Sequence, residues 1–427
     1  MKYKSIKQYY ESKKQYILKN CTTCSRCIEV CPNVQAFSLP KKEIQSLSQK
    51  LLETLAGEPP SDRVFQWVFG CNHCGICRKE CPQGIDTVLF NKILRHEFLC
   101  RQDRRVESIR KHLTEGNFKK TIEILNHLLM KDLAKRWVSK IPEHSEPVDT
   151  LVFLGCAGLV RPDISLSLLD IMDMVGKPYT AVGGTNFCCG SMFQFIGDVD
   201  LFETCLKNMI TGLMAFKPRR VLYLCAECMH NAMYAGPHIL DIPFKQEYVT
   251  EYLVENLEKL PFENNQPVMV SFHDSCSLGR LCGDYESPRA LLKHIPELKL
   301  VEMQHTRQDG FCCGAPGDAF SPGKNEYLKK MRYQEFQETG ADTLITTCTG
   351  CEVAYQNWDL QHSMNISNIF PFVAEFLGIK RENPLALFHK SQDVGGVMEK
   401  FKEIVKDGRY KEEEYQMTIS KLFGVKA

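Results

Sequence analysis

Cysteine spacing constrains this chain more than any other feature. Eighteen of its 21 cysteines fall into four ordered groups. Cys21, Cys24, Cys27 and Cys31 form a C-x2-C-x2-C-x3-C-P run closed by Pro32, and Cys71, Cys74, Cys77 and Cys81 repeat it, closed by Pro82. Cys156, the pair Cys188 and Cys189, then Cys225 and Cys228 make a five-cysteine set. Cys276, the pair Cys312 and Cys313, then Cys348 and Cys351 make a second. The total is odd and the C-x2-C pairs are too local for ordinary structural bridges. Clustered thiols in a reducing compartment are ligands or redox groups. No pair is completed as C-x2-C-H, which speaks against covalent haem.

The remaining composition narrows the class. A length of 427 residues exceeds one ordinary core, so two or three domains are expected. Hydrophobic (44%) and charged (25%) fractions are those of a globular chain, and a net charge of +1 favours neither nucleic acid nor an acidic membrane surface. The longest apolar run, Leu151 to Val160, is half of the ~20 residues that span a bilayer, and reads as a buried strand. The first twenty residues carry six lysines and no apolar stretch, so they are not a secretory signal, and a cytoplasmic location is expected.

Along the chain the pattern changes twice. Residues 1–100 read as a helical domain holding the first two cysteine groups, opened by a basic helix with a solvated face. Between those groups KKEIQSLSQKLLETLAG places Ile44, Leu47, Leu51, Leu52 and Leu55 at helical spacing and ends in Gly57. Residues 101–148 read as a charged helical connector ending near Pro142 and Pro147. From 149 the pattern is α/β: TLVFLG, RVLYL, VMVSFH and DTLITT alternate with DISLSLLDIMDMV and EYVTEYLVENLEKL, predicting parallel strands with crossover helices. An internal repeat is visible: TLVFLGC answers VMVSFHDSC, NFCCG answers GFCCG, and RVLYLCAEC answers TLITTCTGC. The first cysteine and the pair are separated by 31 and 35 residues, the pair and the C-x2-C by 35 and 34. Two similar α/β domains, 149–265 and 266–378, follow, with a charged helical tail at 379–427.

The first two groups match the run of bacterial ferredoxins that hold two clusters. One loop supplies three thiolates to a cube, and the fourth cysteine leaves on a helix to ligate the other cluster. The predicted sets are Cys21, Cys24, Cys27 and Cys81 for one [4Fe-4S] cubane, and Cys71, Cys74, Cys77 and Cys31 for the other. Arg26, His73 and Arg78 lie inside these loops and read as solvent-facing. In the five-cysteine sets adjacent cysteines do not suit one tetrahedral zinc in the usual spaced manner, but suit neighbouring irons of an extended cluster. Gly190 and Gly314 after each pair allow a tight turn. Each C-x2-C follows a strand and precedes a helix, whose N-terminus favours thiolate. A structural zinc site from four of the five, and a thioredoxin-like redox pair, are the alternatives. Cys100, Cys205 and Cys282 are left over and read as buried, unligated thiols; Cys282 is near enough in sequence to approach the Cys276 site.

The twofold C…CCG…C-x2-C arrangement resembles the CCG domain of heterodisulfide reductase. Its order, ferredoxin part first, resembles that enzyme's D subunit or a fusion of its C and B subunits, and HDSCSLGR around Cys276 is similar to a signature of the superfamily. The same architecture occurs in iron–sulfur subunits of glycolate oxidase, lactate-utilisation proteins and anaerobic glycerol-3-phosphate dehydrogenase. The resemblance implies five thiolates per noncubane [4Fe-4S] cluster: Cys156, Cys188, Cys189, Cys225 and Cys228 at one site, Cys276, Cys312, Cys313, Cys348 and Cys351 at the other. Ser275, CCGAPGD and CAEC depart from the commoner signatures around the ligands. No G-x-G-x-x-G after a strand and no P-loop pattern is present, so flavin or nucleotide is expected on a partner. The implied function is an oxidoreductase subunit that reduces a disulfide, with electrons arriving from a flavoprotein, an FAD-linked dehydrogenase or a b-type cytochrome. The alternative is a pure electron-transfer subunit of an FAD-linked hydroxyacid or glycerol-3-phosphate dehydrogenase, with no substrate site of its own. His273 and Asp274, beside Cys276, are candidates to deliver a proton to a leaving thiolate, against a reading in which they cap a strand end.

Overall fold

The computed structural model describes residues 2–115, 118–130, 136–263, 267–318, 323–359, 364–383, 393–406 and 408–422. Two parallel four-stranded sheets form its α/β part. The first comprises β1 (Thr150–Gly155), β2 (Thr180–Gly183), β3 (Arg220–Tyr223) and β4 (Lys245–Tyr248) in the order β2-β1-β3-β4. The second comprises β5 (Val268–His273), β6 (Leu298–Leu300), β7 (Thr343–Thr346) and β8 (Ile366–Asn368), in the order β6-β5-β7-β8. The same topology in both sheets is the structural form of the sequence repeat. β1 is buried along its whole length, as a parallel strand covered on both faces should be.

The strand order brings the cysteines together. Cys156 follows β1, the Cys188–Cys189 pair follows β2 and Cys225 follows β3, and these three strands are neighbours. In the second sheet Cys276 follows β5, the Cys312–Cys313 pair follows β6 and Cys348 follows β7. All three motifs therefore emerge at the carboxyl ends of adjacent strands, where open parallel sheets form their binding crevices. Two sequence readings need correction. The apolar run from Leu151 leaves the sheet at Gly155, whose φ of +73° turns the chain, and Ala157–Val160 is a 3₁₀ turn. In EYVTEYLVENLEKL the helix starts only at Val249, because Glu247 and Tyr248 belong to β4.

The ferredoxin part is helical. Helix Lys41–Ala56 buries Ile44, Leu47, Leu51 and Leu55 and ends at Gly57. The first helix, Ile6–Asn20, is not merely a solvated face. Ile6, Tyr9, Tyr10 and Ile17 are buried where it packs on helices Thr87–Cys100 and Val199–Met214, and Lys14 pairs with Glu97 of the former at 2.7 Å, while Lys7 and Lys19 are exposed. Helix Thr87–Cys100 is capped by Asp86, whose carboxylate accepts from the N–H groups of Val88 and Leu89 at 3.0 Å. It is latched to the first α/β unit: Arg95 donates to the Phe195 carbonyl at 2.6 Å and the His96 ring bonds the Gly197 carbonyl at 2.9 Å. Gly197 has φ +86°, and a Cβ there would stand 2.4 Å from the Arg95 backbone. Gly197→Ala is expected to destabilise the protein by about 1–2 kcal/mol from left-handed backbone alone, with further loss because the struck atoms are helical backbone. Thermal unfolding measures it; an unchanged midpoint would show that the latch is slack.

The tail helices Val394–Lys400 and Glu412–Leu422 return to the connector. Val397, Tyr415 and Ile419 pack on Ile124 and Leu128 of helix Phe118–Met130, and Tyr415 bonds His127 Nδ1 at 2.7 Å. Among the described residues no helix is long and apolar enough to cross a membrane.

Candidate iron–sulfur sites

The two ferredoxin-type loops share one backbone conformation. Thr23 and His73, third in each loop, have φ of +51° and +50°; Ser25 and Gly75, fifth in each, have +67° and +79°. These turns curl the loop around a common centre and aim N–H groups at sulfur. The His73 N–H meets Cys71 Sγ at 3.4 Å, and the Thr23 N–H makes the matching bond to Cys21. The fourth cysteines cross over. Cys81 lines one pocket with Cys21, Cys24 and Cys27. Cys31 lies among Cys71, Cys74 and Cys77, which bear on its thiol electrostatically. Burial pushes the Cys27 thiol up to about 12 and the Cys71 thiol up to about 11. A buried thiolate needs a compensating cation, and a metal centre supplies one.

The five-cysteine sets make corresponding sulfur contacts, continuous through the Cys312–Cys313 pair in the second and in two separate links in the first. In the first, Cys156 bonds Cys188, Cys189 bonds Cys228, and Cys225 bonds Cys228. In the second, Cys276 bonds Cys312, Cys313 bonds Cys351, and Cys348 bonds Cys351. Gly190 and Gly314 have φ of +77° and +80°, and each N–H meets the first sulfur of its pair at 3.4 Å. Helices Ala226–His230 and Thr349–Asp359 begin directly after Cys225 and Cys348, as expected. Each motif brings five thiols to its site, one more than tetrahedral zinc takes.

The sites are neighbours. Cys74 of the second ferredoxin loop is in hydrogen-bond contact with Cys312 of the second five-cysteine set. Asn72 donates to Asn325 at 3.0 Å and accepts from the Gly317 N–H at 2.7 Å, fastening that loop to the second α/β unit. Tyr248, fully buried, lies within electrostatic reach of both five-cysteine sets. Cys225 and Cys348 both bear on its phenol, whose hydroxyl donates to the Thr347 carbonyl at 3.2 Å. Ser277 donates to Glu227 at 2.8 Å between the two α/β units.

His273 is fully buried at the end of β5. Arg332 Nε, which can only donate, meets its Nδ1 at 3.3 Å, so the proton sits on Nε2. Nε2 belongs to a set with Cys313 and Cys351 whose donor atoms all lie within 4.8 Å of one another. Burial holds its pKa below the ordinary value, with Arg332 acting in the same direction, so the ring is neutral. Asp274 is engaged elsewhere: Arg289 holds both its oxygens, at 2.6 and 2.9 Å, and the Arg307 N–H adds a bond at 2.7 Å. It is an anchor, not a proton donor.

Several expectations need revision. His73 is buried, stacked on Phe195 at 4.8 Å and bonded to Asn91 at 2.8 Å. Arg78 is partly covered and pairs with Asp86 at 3.0 Å, whereas Arg26 is exposed as expected. Of the three leftover thiols, Cys100 is exposed beside His96, and Cys205 is half-buried and bonded to Cys188. Cys282 faces the first set rather than its own, donating to the Ala226 carbonyl at 3.6 Å. Residue spacing missed Arg161, Arg280 and Tyr248. Arg280 stands inside the HDSCSLGR stretch, where its type was the available signal.

Comparison with known proteins agrees with this architecture. A 4Fe-4S dicluster domain model matches residues 17–85, and the cysteine-rich CCG domain model matches 150–231 and 270–355. The chain is an iron–sulfur protein, a dicluster ferredoxin domain joined to two CCG domains, with [4Fe-4S] clusters as its cofactors. It is an electron-transfer protein related to the D subunit of heterodisulfide reductase. It is 28% identical over 395 residues to the D subunit of the dihydromethanophenazine:CoB--CoM heterodisulfide reductase of Methanosarcina acetivorans, covering 86% of this chain and 95% of that one. It is also 24% identical to the B subunit of the fumarate reductase (CoM/CoB) of Methanothermobacter marburgensis, covering 81% and 68%. A third relative, the EtfAB:quinone oxidoreductase of Syntrophomonas wolfei, is 21% identical, covering 81% of this chain and 50% of that protein.

Proposed function

We propose that the chain is the disulfide-reducing subunit of a larger oxidoreductase. In this reading Cys21, Cys24, Cys27 and Cys81 hold one cubane, and Cys71, Cys74, Cys77 and Cys31 the other. Cys156, Cys188, Cys189, Cys225 and Cys228 hold one noncubane cluster, and Cys276, Cys312, Cys313, Cys348 and Cys351 the second. When bound, these groups supply one-electron transfer and, at the CCG sites, iron that takes a sulfur from each half of a disulfide. The balance is RS–SR′ + 2 e⁻ + 2 H⁺ → RSH + R′SH. A redox partner, a flavoprotein or a b-type cytochrome, supplies the electrons. The observation that carries the reading is the completeness and proximity of the two CCG sites. Both motifs keep all five thiols, buried Tyr248 is within electrostatic reach of one cysteine from each, and Ser277 beside Cys276 bonds Glu227 beside Cys228, which supports two neighbouring sulfur-binding centres. His273 keeps a proton on Nε2 at Cys313, inside the second set.

A second reading, a relay with no substrate site, draws on the similarity to an EtfAB:quinone oxidoreductase. The two separate by experiment. Protein purified without oxygen should carry about 16 iron atoms, four per site, and no zinc. Adding thiols under oxidising conditions should generate a new paramagnetic signal. Full iron with no thiol-dependent signal would favour the relay.

A further inference from the structure

We propose that Arg280, seconded by Arg95 and Lys92, places the second ferredoxin-type site at the higher reduction potential of the two, so that electrons arriving at the exposed first site are drawn inward. The inference rests on the ligand reading above and deepens it by assigning a direction of flow.

The two sites differ in their electrostatics. Cys24 of the first site is exposed, and the pocket formed by Cys21, Cys24, Cys27 and Cys81 is lined by neutral residues such as Thr22, Ser48 and Gln83, with no charged side chain. The second site exposes none of its four thiols, buries Cys74 and is flanked by cations. One π-helical turn, Ser277–Leu281, carries Arg280 across the seam to the ferredoxin loop. Its Nε donates to the Cys74 carbonyl at 2.6 Å, and its Nη1 donates to the Gly310 carbonyl at 2.7 Å. Its Nη2 is buried with no partner. Among the described residues no carboxylate pairs with it. The equally interior Arg161, Arg289 and Arg332 are each neutralised by Asp or Glu. The charge of Arg280 falls on Cys74, Cys276 and Cys312, so it stands between the second ferredoxin site and the second CCG site.

Arg95 adds to this from the other side. It donates to the Cys71 carbonyl at 2.8 Å, and its charge and that of buried Lys92 both reach Cys71. Thr87 donates its hydroxyl to Cys77 Sγ at 2.9 Å, a further stabilisation of negative sulfur. Reduction adds negative charge to a thiolate-ligated centre. Fixed cations and donors to sulfur favour that state, strongly so in a low-dielectric interior. Burial alone works in the opposite direction, because water solvates the added charge better at the exposed site. A buried cation without a carboxylate partner is what can reverse that order. Arg280 acts through the sulfurs it faces and is a positioning residue.

The test is an EPR-monitored redox titration of the full-length protein without oxygen, comparing Arg280→Gln and Arg280→Lys with the unaltered chain. A dissolved relaxation agent identifies the first site by its exposure. In the unaltered protein the second site should titrate above the first. Arg280→Gln should lower the second midpoint by at least a tenfold change in the equilibrium between the sites, 59 mV for one electron, leaving the first in place. Arg280→Lys keeps the charge and should keep most of the potential. If Arg280→Gln loses iron at the second site, Lys92→Met carries the test, with a smaller shift of the same sign. An unmoved second midpoint with full iron, or a second site that titrates below the first, overturns the proposal alone. Unaltered protein with fewer than about eight irons for the two ferredoxin-type sites overturns the ligand reading and the proposal together.

Discussion

Cys313→Ser removes the second noncubane centre and spares the other three. Cys313 is the hub of its set, bonded to both Cys312 and Cys351 and faced by His273. A serine oxygen is a harder and poorer ligand for iron–sulfur chemistry than thiolate. The expected loss is about four of about 16 irons, read by iron and sulfide counts on anaerobically prepared protein. Both cubane signals should persist. The second should shift rather than vanish, because Cys74 touches the Cys312 side of the altered set. Disulfide reduction should stop. The same substitution at Cys189, the equivalent position of the first set, should remove the first CCG centre instead. Loss of both cubane signals in Cys313→Ser would show that the four sites do not assemble independently.

The grouping of the thiols was legible in the sequence because ligand spacing is a covalent property. The crossing of Cys31 and Cys81 between loops follows from the doubled run and appears in the fold. Secondary structure was legible where both faces are buried. β1, β3, β5 and β7 lie inside their sheets and read as apolar runs. β2, β4, β6 and β8 are edge strands of three or four residues, with sequences such as KQEY and ISN, and carry no such pattern. Contacts made between domains were not legible. Cys282 lies six residues after Cys276, yet the turn between them carries it to the first set. His73 looked like a loop residue and is buried because Phe195, from another domain, covers it. Cys205 reaches Cys188 because Gly190 brings the pair against helix Val199–Met214, where a Cβ would stand 2.8 Å from the Cys205 Cβ.

Arg161 gives the largest expected effect on stability, and it also probes how the two CCG sites are held together. It lies five residues after Cys156, and Glu352 directly follows Cys351. Arg161 donates to both oxygens of Asp163, at 2.9 and 2.6 Å, and to both oxygens of Glu352, at 3.0 and 2.9 Å. All three side chains are almost wholly buried. Burial pushes the Glu352 carboxyl up even with Arg161 beside it. Arg161→Ala strands two carboxylates in the interior and should cost about 3–5 kcal/mol, measured by anaerobic chemical denaturation. Arg161→Lys keeps the charge but not the planar fork, and should fall between. Replacing Arg161, Asp163 and Glu352 together with apolar residues of similar volume removes the desolvation cost as well, and should recover much of the stability. That triple variant separates two roles. If the clamp only stabilises, it will restore both CCG signals with the fold. If the clamp sets the distance between the sites, the fold will recover while thiol-dependent EPR does not, because the elements bearing Cys156 and Cys351 have lost the bidentate link between them.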